Sequence, residues 1–239
     1  MRNSDLNQLS PPPNDCVIRT KGETPAQYSD VKNVYEHVIR IRQRYLKGIS
    51  GSLLDHGFGN GILSLYFSRE GFDVYGVELL RSPFRDFLFD NTVIRDNFKF
   101  LIDEEYAIPF PDSFFNVIVS NQVLNFIHDR ENIESVVREF FRISTPGGKI
   151  VVTIMSEDNY LFIDHGVPPI PLRGVVRVSV TGRLERDQMY YRFEDSADVV
   201  SVFEKVGFVI DDLGYFDFKL LDVRCAKHYI VLGHKPLRE

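Results

Sequence analysis

The stretch Leu53-Leu54-Asp55-His56-Gly57-Phe58-Gly59-Asn60-Gly61 sets three glycines at alternate positions directly behind a short apolar run. Glycine adopts positive φ freely and carries no Cβ, so a loop of this kind lets a ligand lie against the backbone. A dinucleotide-binding loop reads G-x-G-x-x-G, its third glycine allowing helix and strand to pack closely. That third position is Ile62 here. A Walker A loop runs on into Gly-Lys-Ser/Thr, whereas this one runs on as Gly61-Ile62-Leu63-Ser64. Both phosphate-binding readings lose a key residue. Asp55, at the end of the strand, is moreover a poor neighbour for a pyrophosphate.

Outward from the loop, strand and helix patterns alternate. Val31, Val34, Tyr35, Val38, Ile39, Ile41 and Tyr45 recur at helical spacing over residues 29–47, with Ser29 or Asp30 as cap and Gly48 as stop. Residues 52–55 read as a strand, and residues 62–69 as a helix closed by Gly71. Residues 72–78 form a second strand pattern ending in Glu78, and residues 82–91 a helix with Pro83 near its first turn. Residues 98–103 and 114–121 are the third and fourth strands, the latter β-branched enough for burial on both faces. Residues 130–143 are amphipathic, with Ile133, Val136, Val137, Phe140 and Phe141 on one side, and residues 147–155 are a fifth strand. This alternation predicts an α/β fold, a parallel sheet covered on both faces.

The pitch breaks over residues 156–193, which hold several prolines and a β-rich piece readable as a hairpin with Thr181-Gly182 at its turn. A helix follows over residues 196–206 with Gly207 at its end, then strands over 208–216 and 227–235. Residues 1–27, polar and with prolines at 11–13, are read as a lead-in. Residues 28–239 are read as a single domain with residues 156–193 inserted after the fifth strand.

Composition excludes several classes. The chain is 44% hydrophobic and 26% charged, as ordinary globular domains are. A net charge of −6 argues against a dedicated nucleic-acid binder. Cys16 and Cys225 are far apart, with no metal-ligand spacing, and favour a reduced, cytoplasmic protein. The first residues lack the apolar core of a signal peptide, and no run reaches membrane-helix length. The expectation is a soluble protein with no membrane partner.

The pattern Asp55-x-Gly57-x-Gly59-x-Gly61 after a first strand resembles motif I of the class I S-adenosylmethionine-dependent methyltransferases. Three further stretches resemble the same family in order: Glu78 at the end of the second strand, Ile108-Pro109-Phe110 leading towards the fourth strand, and Thr145-Pro146-Gly147-Gly148 before the fifth. The resemblance implies a doubly wound, Rossmann-like, seven-stranded sheet, mostly parallel with the last strand antiparallel. It implies S-adenosyl-L-methionine as cofactor and S-adenosyl-L-homocysteine as product. Gly57, Gly59 and Gly61 would let the backbone approach the donor, and Asp55 would orient its ammonium group. Glu78 would accept from both ribose hydroxyls, and Leu79 would lie against adenine. The adenine-edge acid falls on Glu104, with Asp103 one residue away, and Glu105 and Tyr106 close over the base. Asn121 and Gln122 would face the methionyl end.

Of two departures from the family pattern, the first bears on chemistry and the second on structure. The Leu-Glu-His often found after strand four is Leu124-Asn125-Phe126, and the acid before that strand is Asn116. The candidate bases are therefore His165, beside Asp164, and His128, two positions out of register. Tyr28, Tyr160 and Arg173 are candidate substrate contacts, and His56 within the loop reads as a structural histidine. The arginines of the insertion (Arg173, Arg177, Arg183, Arg186 and Arg192) suit either an anionic small molecule or a solvated hairpin. The Asn-Pro-Pro-Tyr signature of DNA and protein amide methylases is replaced by Ser120-Asn121-Gln122-Val123, and no ligand cluster suggests a metal. The expected activity is methyl transfer to a small molecule, at oxygen. N-methylation, tRNA or protein modification, and a catalytically degenerate cofactor-binding protein are the alternatives.

Overall fold

A computed structural model of the chain describes residues 36–59, 61–79, 97–101, 106–167, 174–180, 186–217 and 226–237. Seven strands form the main sheet, and two compact units meet in the chain between Pro109 and Phe110.

The first unit holds α1 (Glu36–Arg44), β1 (Gly51–His56), α2 (Ile62–Arg69), β2 (Phe72–Leu79) and β3 (Phe98–Leu101). Its strands run parallel in the order β3-β2-β1, with Asp55 opposite Gly76 and Glu78 opposite Phe100. The apolar spacing of α1 buries Val38 and Ile41, and that of α2 buries Leu63, Tyr66 and Phe67. Gly71, at φ +87°, turns the chain from α2 into β2. Gly76 sits where the Phe58 and Phe98 rings meet edge to face, their centroids 4.9 Å apart. A Cβ there would fall 2.3 Å from Phe98 and 2.7 Å from Phe58.

The second unit holds β4 (Phe115–Asn121), a 3₁₀ turn (Leu124–Phe126), α3 (Arg130–Ile143), β5 (Ser144–Met155) and α4 (Tyr160–His165). It continues with β6 (Gly166–Val167), β7 (Val175–Val180), β8 (Arg186–Tyr191), α5 (Ser196–Glu204), β9 (Val209–Phe216) and β10 (His228–His234). Its share of the main sheet runs β4-β5-β10-β9, and β10 is antiparallel to both neighbours. The sheet is thus parallel apart from its last strand, as expected. Asp129 caps α3 by accepting the Glu131 N–H, and Ile133, Val136, Val137, Phe140 and Ile143 enter the core. Phe141 departs from the expected stripe: it is half-buried, packing on Phe208 and beneath the Lys235 ammonium. Lys235, itself buried, donates to the Phe141 and Ser144 carbonyls at 2.7 and 3.0 Å, satisfying the end of α3.

The Pro146-Gly147-Gly148 turn lies inside the span of β5. Pairing with β4 jumps from Phe115–Ser144 to Val117–Lys149, so the chain bulges there, with Gly147 at φ +78°. Within residues 156–193, β6, β7 and β8 form a separate antiparallel sheet; β7 and β8 pair as the expected hairpin does, and its expected turn at Thr181-Gly182 lies outside the described residues. Helix α4 was not legible beforehand. Its six residues follow the cap Asn159, whose buried side chain accepts the Leu161 N–H and donates to the Lys227 carbonyl.

Replacing Gly76 by alanine should overpack the junction of β2 and β3. A loss of about 1–3 kcal/mol is expected, read from chemical denaturation of the full chain.

Candidate active site

Strand β1 ends in a buried carboxyl. Asp55 is 1% exposed, and its Oδ2 accepts the Ser64 hydroxyl from the first turn of α2 at 2.5 Å. Burial pushes the Asp55 carboxyl up to about 7, against the hydroxyl and backbone N–H of Ser64, while the nearby Glu78 charge pushes the same way as burial.

The turn that follows has Gly57, Gly59 and Gly61 at φ +69°, +51° and +72°. All three lie in the left-handed region, where L side chains are strained, so the alternation of glycines is a backbone requirement. The Gly57 N–H continues the β1–β2 ladder to the Val77 carbonyl, and the Gly61 N–H closes the turn on the Phe58 carbonyl, both at 2.8 Å. The Gly59 N–H donates to Glu78 Oε2 at 3.0 Å, while Glu78 Oε1 accepts the Leu79 N–H at 2.8 Å. Glu78 is half-buried, and burial raises its pKa while those two N–H groups lower it. Each of its oxygens retains a lone pair with which to accept a hydroxyl.

The structure therefore brings Asp55, Gly57, Gly59, Gly61, Glu78 and Leu79 together at one end of β1 and β2. A phosphate cradle presents free N–H groups in positive surroundings. Here the central N–H is taken by a carboxylate, and a second carboxyl lies buried at the end of β1. Ser64 is a site residue that sequence reading missed; its signal is a lone hydroxyl in the apolar run Ile62-Leu63-Ser64-Leu65. His56 is 7% exposed, and burial lowers its pKa to about 4, so it is neutral at pH 7.

In the second unit, β4 ends on Asn121, and Gln122 follows with φ +59°, a left-handed non-glycine residue. Thr153 of β5, opposite Asn121, holds both. Its hydroxyl donates to Asn121 Oδ1 at 2.8 Å and accepts the Gln122 N–H at 2.9 Å, and its carbonyl lies 3.1 Å from the same N–H. Thr153 is 2% exposed and also escaped sequence reading. The signal was again one polar residue in a buried strand, which needs a partner.

Asn125, from the variant Leu-Asn-Phe triplet, is fully buried. Its Oδ1 accepts the Met155 N–H at 2.8 Å, and its Nδ2 donates to the Tyr191 carbonyl at 2.9 Å. His128 is exposed, with Nε2 3.1 Å from the Met189 carbonyl. A carbonyl only accepts, so this nitrogen carries the proton. His165 ends α4 edge-on to Tyr160, ring centroids 5.9 Å apart, and Tyr160 packs on Met155, Leu161, Phe162, Val178 and Tyr190.

Arg177 makes a two-point pair with Asp187 on the facing strand, at 2.7 and 2.6 Å, and the Arg192 Nε donates to the Glu157 carbonyl. These two arginines have protein partners. Tyr28, Glu104, Glu105 and Arg173 lie outside the described residues, as does the helix expected over residues 82–91. Among the described residues, no group of three or more His, Cys, Asp or Glu could hold a metal, and no helix is long and apolar enough to cross a membrane.

The sheet and its glycine turn define the fold of the class I S-adenosylmethionine-dependent methyltransferases. Residues 31–212 match the methyltransferase domain family, and the chain belongs to that family. A solved S-adenosylmethionine-dependent methyltransferase from Methanosarcina mazei is similar in fold, with a TM-score of 0.64 at 18% identity over 78% of this chain and 93% of that one. The glycopeptide N-methyltransferase MtfA, solved with S-adenosylmethionine, gives a TM-score of 0.58 at 16% identity over 92% of this chain and 100% of that one. The ubiquinone/menaquinone biosynthesis C-methyltransferase of Vibrio parahaemolyticus is 30% identical over 129 residues, 49% of this chain and 48% of that protein. The chain spans about half the length of the curated relatives it matches.

The raised pKa of Asp55 has a definite sign. The fold favours the protonated carboxyl, so its contribution to stability is fully present below the usual 3.8 and is lost as pH rises through about 7. The stability of the wild type relative to Asp55→Asn should fall between pH 4 and pH 8, by something on the order of 4 kcal/mol. Denaturant titrations of both proteins across that range check it, and a pH-independent difference would refute the assignment.

Proposed function

We propose that this chain transfers a methyl group from S-adenosyl-L-methionine to a small-molecule acceptor, releasing S-adenosyl-L-homocysteine. The observation that carries the reading is the Glu78 carboxylate, held by the Gly59 and Leu79 N–H groups beside a turn of three left-handed glycines. That arrangement suits a ribose diol and opposes a phosphate. Asp55 answers the ammonium group of the donor, directly or through water, and Leu79 lies against adenine, with Glu104 and Glu105 at its edge. Asn121 and Gln122, fixed by Thr153, serve the methionyl end.

The donor supplies a sulfonium, an already activated leaving group. What remains for the chain is to hold the acceptor atom on the S–CH₃ axis at about 3 Å and to keep water away. Residues 156–193 form the acceptor side, with Tyr160 and Arg173 as contacts. Arg173 is the candidate partner for an anionic group; Arg177 and Arg192 already have protein partners. His165 and His128 are the candidate bases; His128 donates through Nε2 to the Met189 carbonyl, which leaves Nδ1 as its basic nitrogen.

Oxygen is the acceptor atom favoured by the sequence. A ring carbon is the second reading, supported by the curated relatives, whose name specifies C-methylation. A phenol or enol accommodates both, since loss of its proton activates the oxygen and the adjacent carbon alike.

Calorimetry with S-adenosylmethionine tests the cofactor, and a methyl-¹³C donor with a panel of phenols, enols and amines tests the acceptor. Binding is expected for the wild type, with at least ~10-fold weaker affinity for Glu78→Ala, which loses charge-assisted hydrogen bonds, and for Gly59→Arg, which forces a side chain into positive φ. The ¹³C shift of the product separates O-, C- and N-methylation. A folded wild type that fails to bind overturns the proposal.

A further inference from the structure

Strand β8 is the outer strand of the small sheet and pairs on one side with β7. A free strand edge presents alternate carbonyls in need of partners. Met189 and Tyr191, two residues apart, present theirs on one edge. Both are met by side chains of a single short segment following β4: Asn125 Nδ2 reaches the Tyr191 carbonyl at 2.9 Å, and His128 Nε2 the Met189 carbonyl at 3.1 Å. Between these contacts the Tyr190 side chain is 1% exposed, its ring 5.0 Å from that of Phe126 and 6.3 Å from that of Phe162. The same Asn125 amide accepts the Met155 N–H, so one fully buried side chain ties the end of β5 to the end of β8. Its polar ends are used on two backbones far apart in the chain, a role that serine or alanine at this place would not fill.

We propose that Asn125 and His128 are positioning residues that fix β8, and with it the buried apolar cluster around Tyr190, behind the acceptor side, His128 doing so as a hydrogen-bond donor through Nε2. This rests on reading residues 156–193 as the acceptor side. The histidine that sequence inspection offers as a base near β4 holds, through Nε2, the edge of the small sheet.

The test is amide hydrogen exchange on the full chain over residues 174–180 and 186–193, with S-adenosylmethionine calorimetry alongside. Asn125→Ala and His128→Ala should each raise exchange there at least ~10-fold, while β1, β2 and β4 keep wild-type protection. His128→Gln, whose side-chain amide nitrogen stands in for Nε2–H, should restore the wild-type pattern, and ¹⁵N spectra of the neutral imidazole should report the Nε2–H tautomer. If burial makes Asn125→Ala fail to fold, the exposed His128 pair decides. Exchange unchanged in His128→Ala, a His128→Gln that behaves like His128→Ala, or an Nδ1–H tautomer would each overturn the proposal. S-adenosylmethionine affinity should not change in the His128 variants. Loss of binding in the wild type would instead remove the methyl-transfer reading, and the exchange results would still decide the role of His128.

Discussion

A carboxyl buried at the end of a parallel strand must find donors or give up its charge, and much of the first unit follows from how Asp55 meets that demand. Its donors come from Ser64, which reaches it because α2 begins immediately after Gly61. So early a start requires the chain to reverse within five residues, and the reversal is possible because Gly57, Gly59 and Gly61 all take positive φ. The same turn aims the Gly59 N–H at Glu78 and seats Phe58 against Phe98 over the bare α-carbon of Gly76. Replacing any one of these pieces alters the direction of the next.

The second unit is organised by polar side chains reaching across long sequence separations. Thr153 holds Asn121 and Gln122, Asn125 joins Met155 to Tyr191, and Lys235 closes the end of α3. Arg130 ties α3 to α5 through Asp198 and Ser201, with its guanidinium over the Phe193 ring. These contacts are buried or half-buried. Leaving one partner unmatched costs more than the hydrogen bond itself contributes, which makes them strong determinants of geometry. The exposed Arg177–Asp187 pair lies at the other extreme, since solvent screens it and holding two long side chains in place opposes its gain.

Legibility in the sequence followed the range of the interaction. The limits of α2 and α3 were readable to the residue, because a glycine at one end or an aspartate cap at the other acts within a turn. Strands β1, β2 and β4 were readable within a residue or two from apolar runs that end in Asp55, Glu78 and Asn121. The short α4 was not readable, since its start depends on Asn159 bonding to the Lys227 carbonyl, 68 residues away. Phe141 was placed with the core stripe by spacing alone, whereas Lys235 and Phe208 draw it to the margin. His128 stood as a candidate base two positions out of register, and its partner, the Met189 carbonyl, lies 61 residues away.

What the sequence alone determined was the alternation of strand and helix, the glycine turn, the acids at the ends of two strands, and from them a methyltransferase fold. Each of these is written in contiguous residues whose backbone preferences and periodicity act locally. The tertiary structure decided which polar groups are tied up and which are left for chemistry: Ser64 on Asp55, Thr153 beneath Gln122, Asn125 and His128 on the edge of β8. Those partnerships depend on folding distant segments to within hydrogen-bond distance, and no local pattern encodes that proximity.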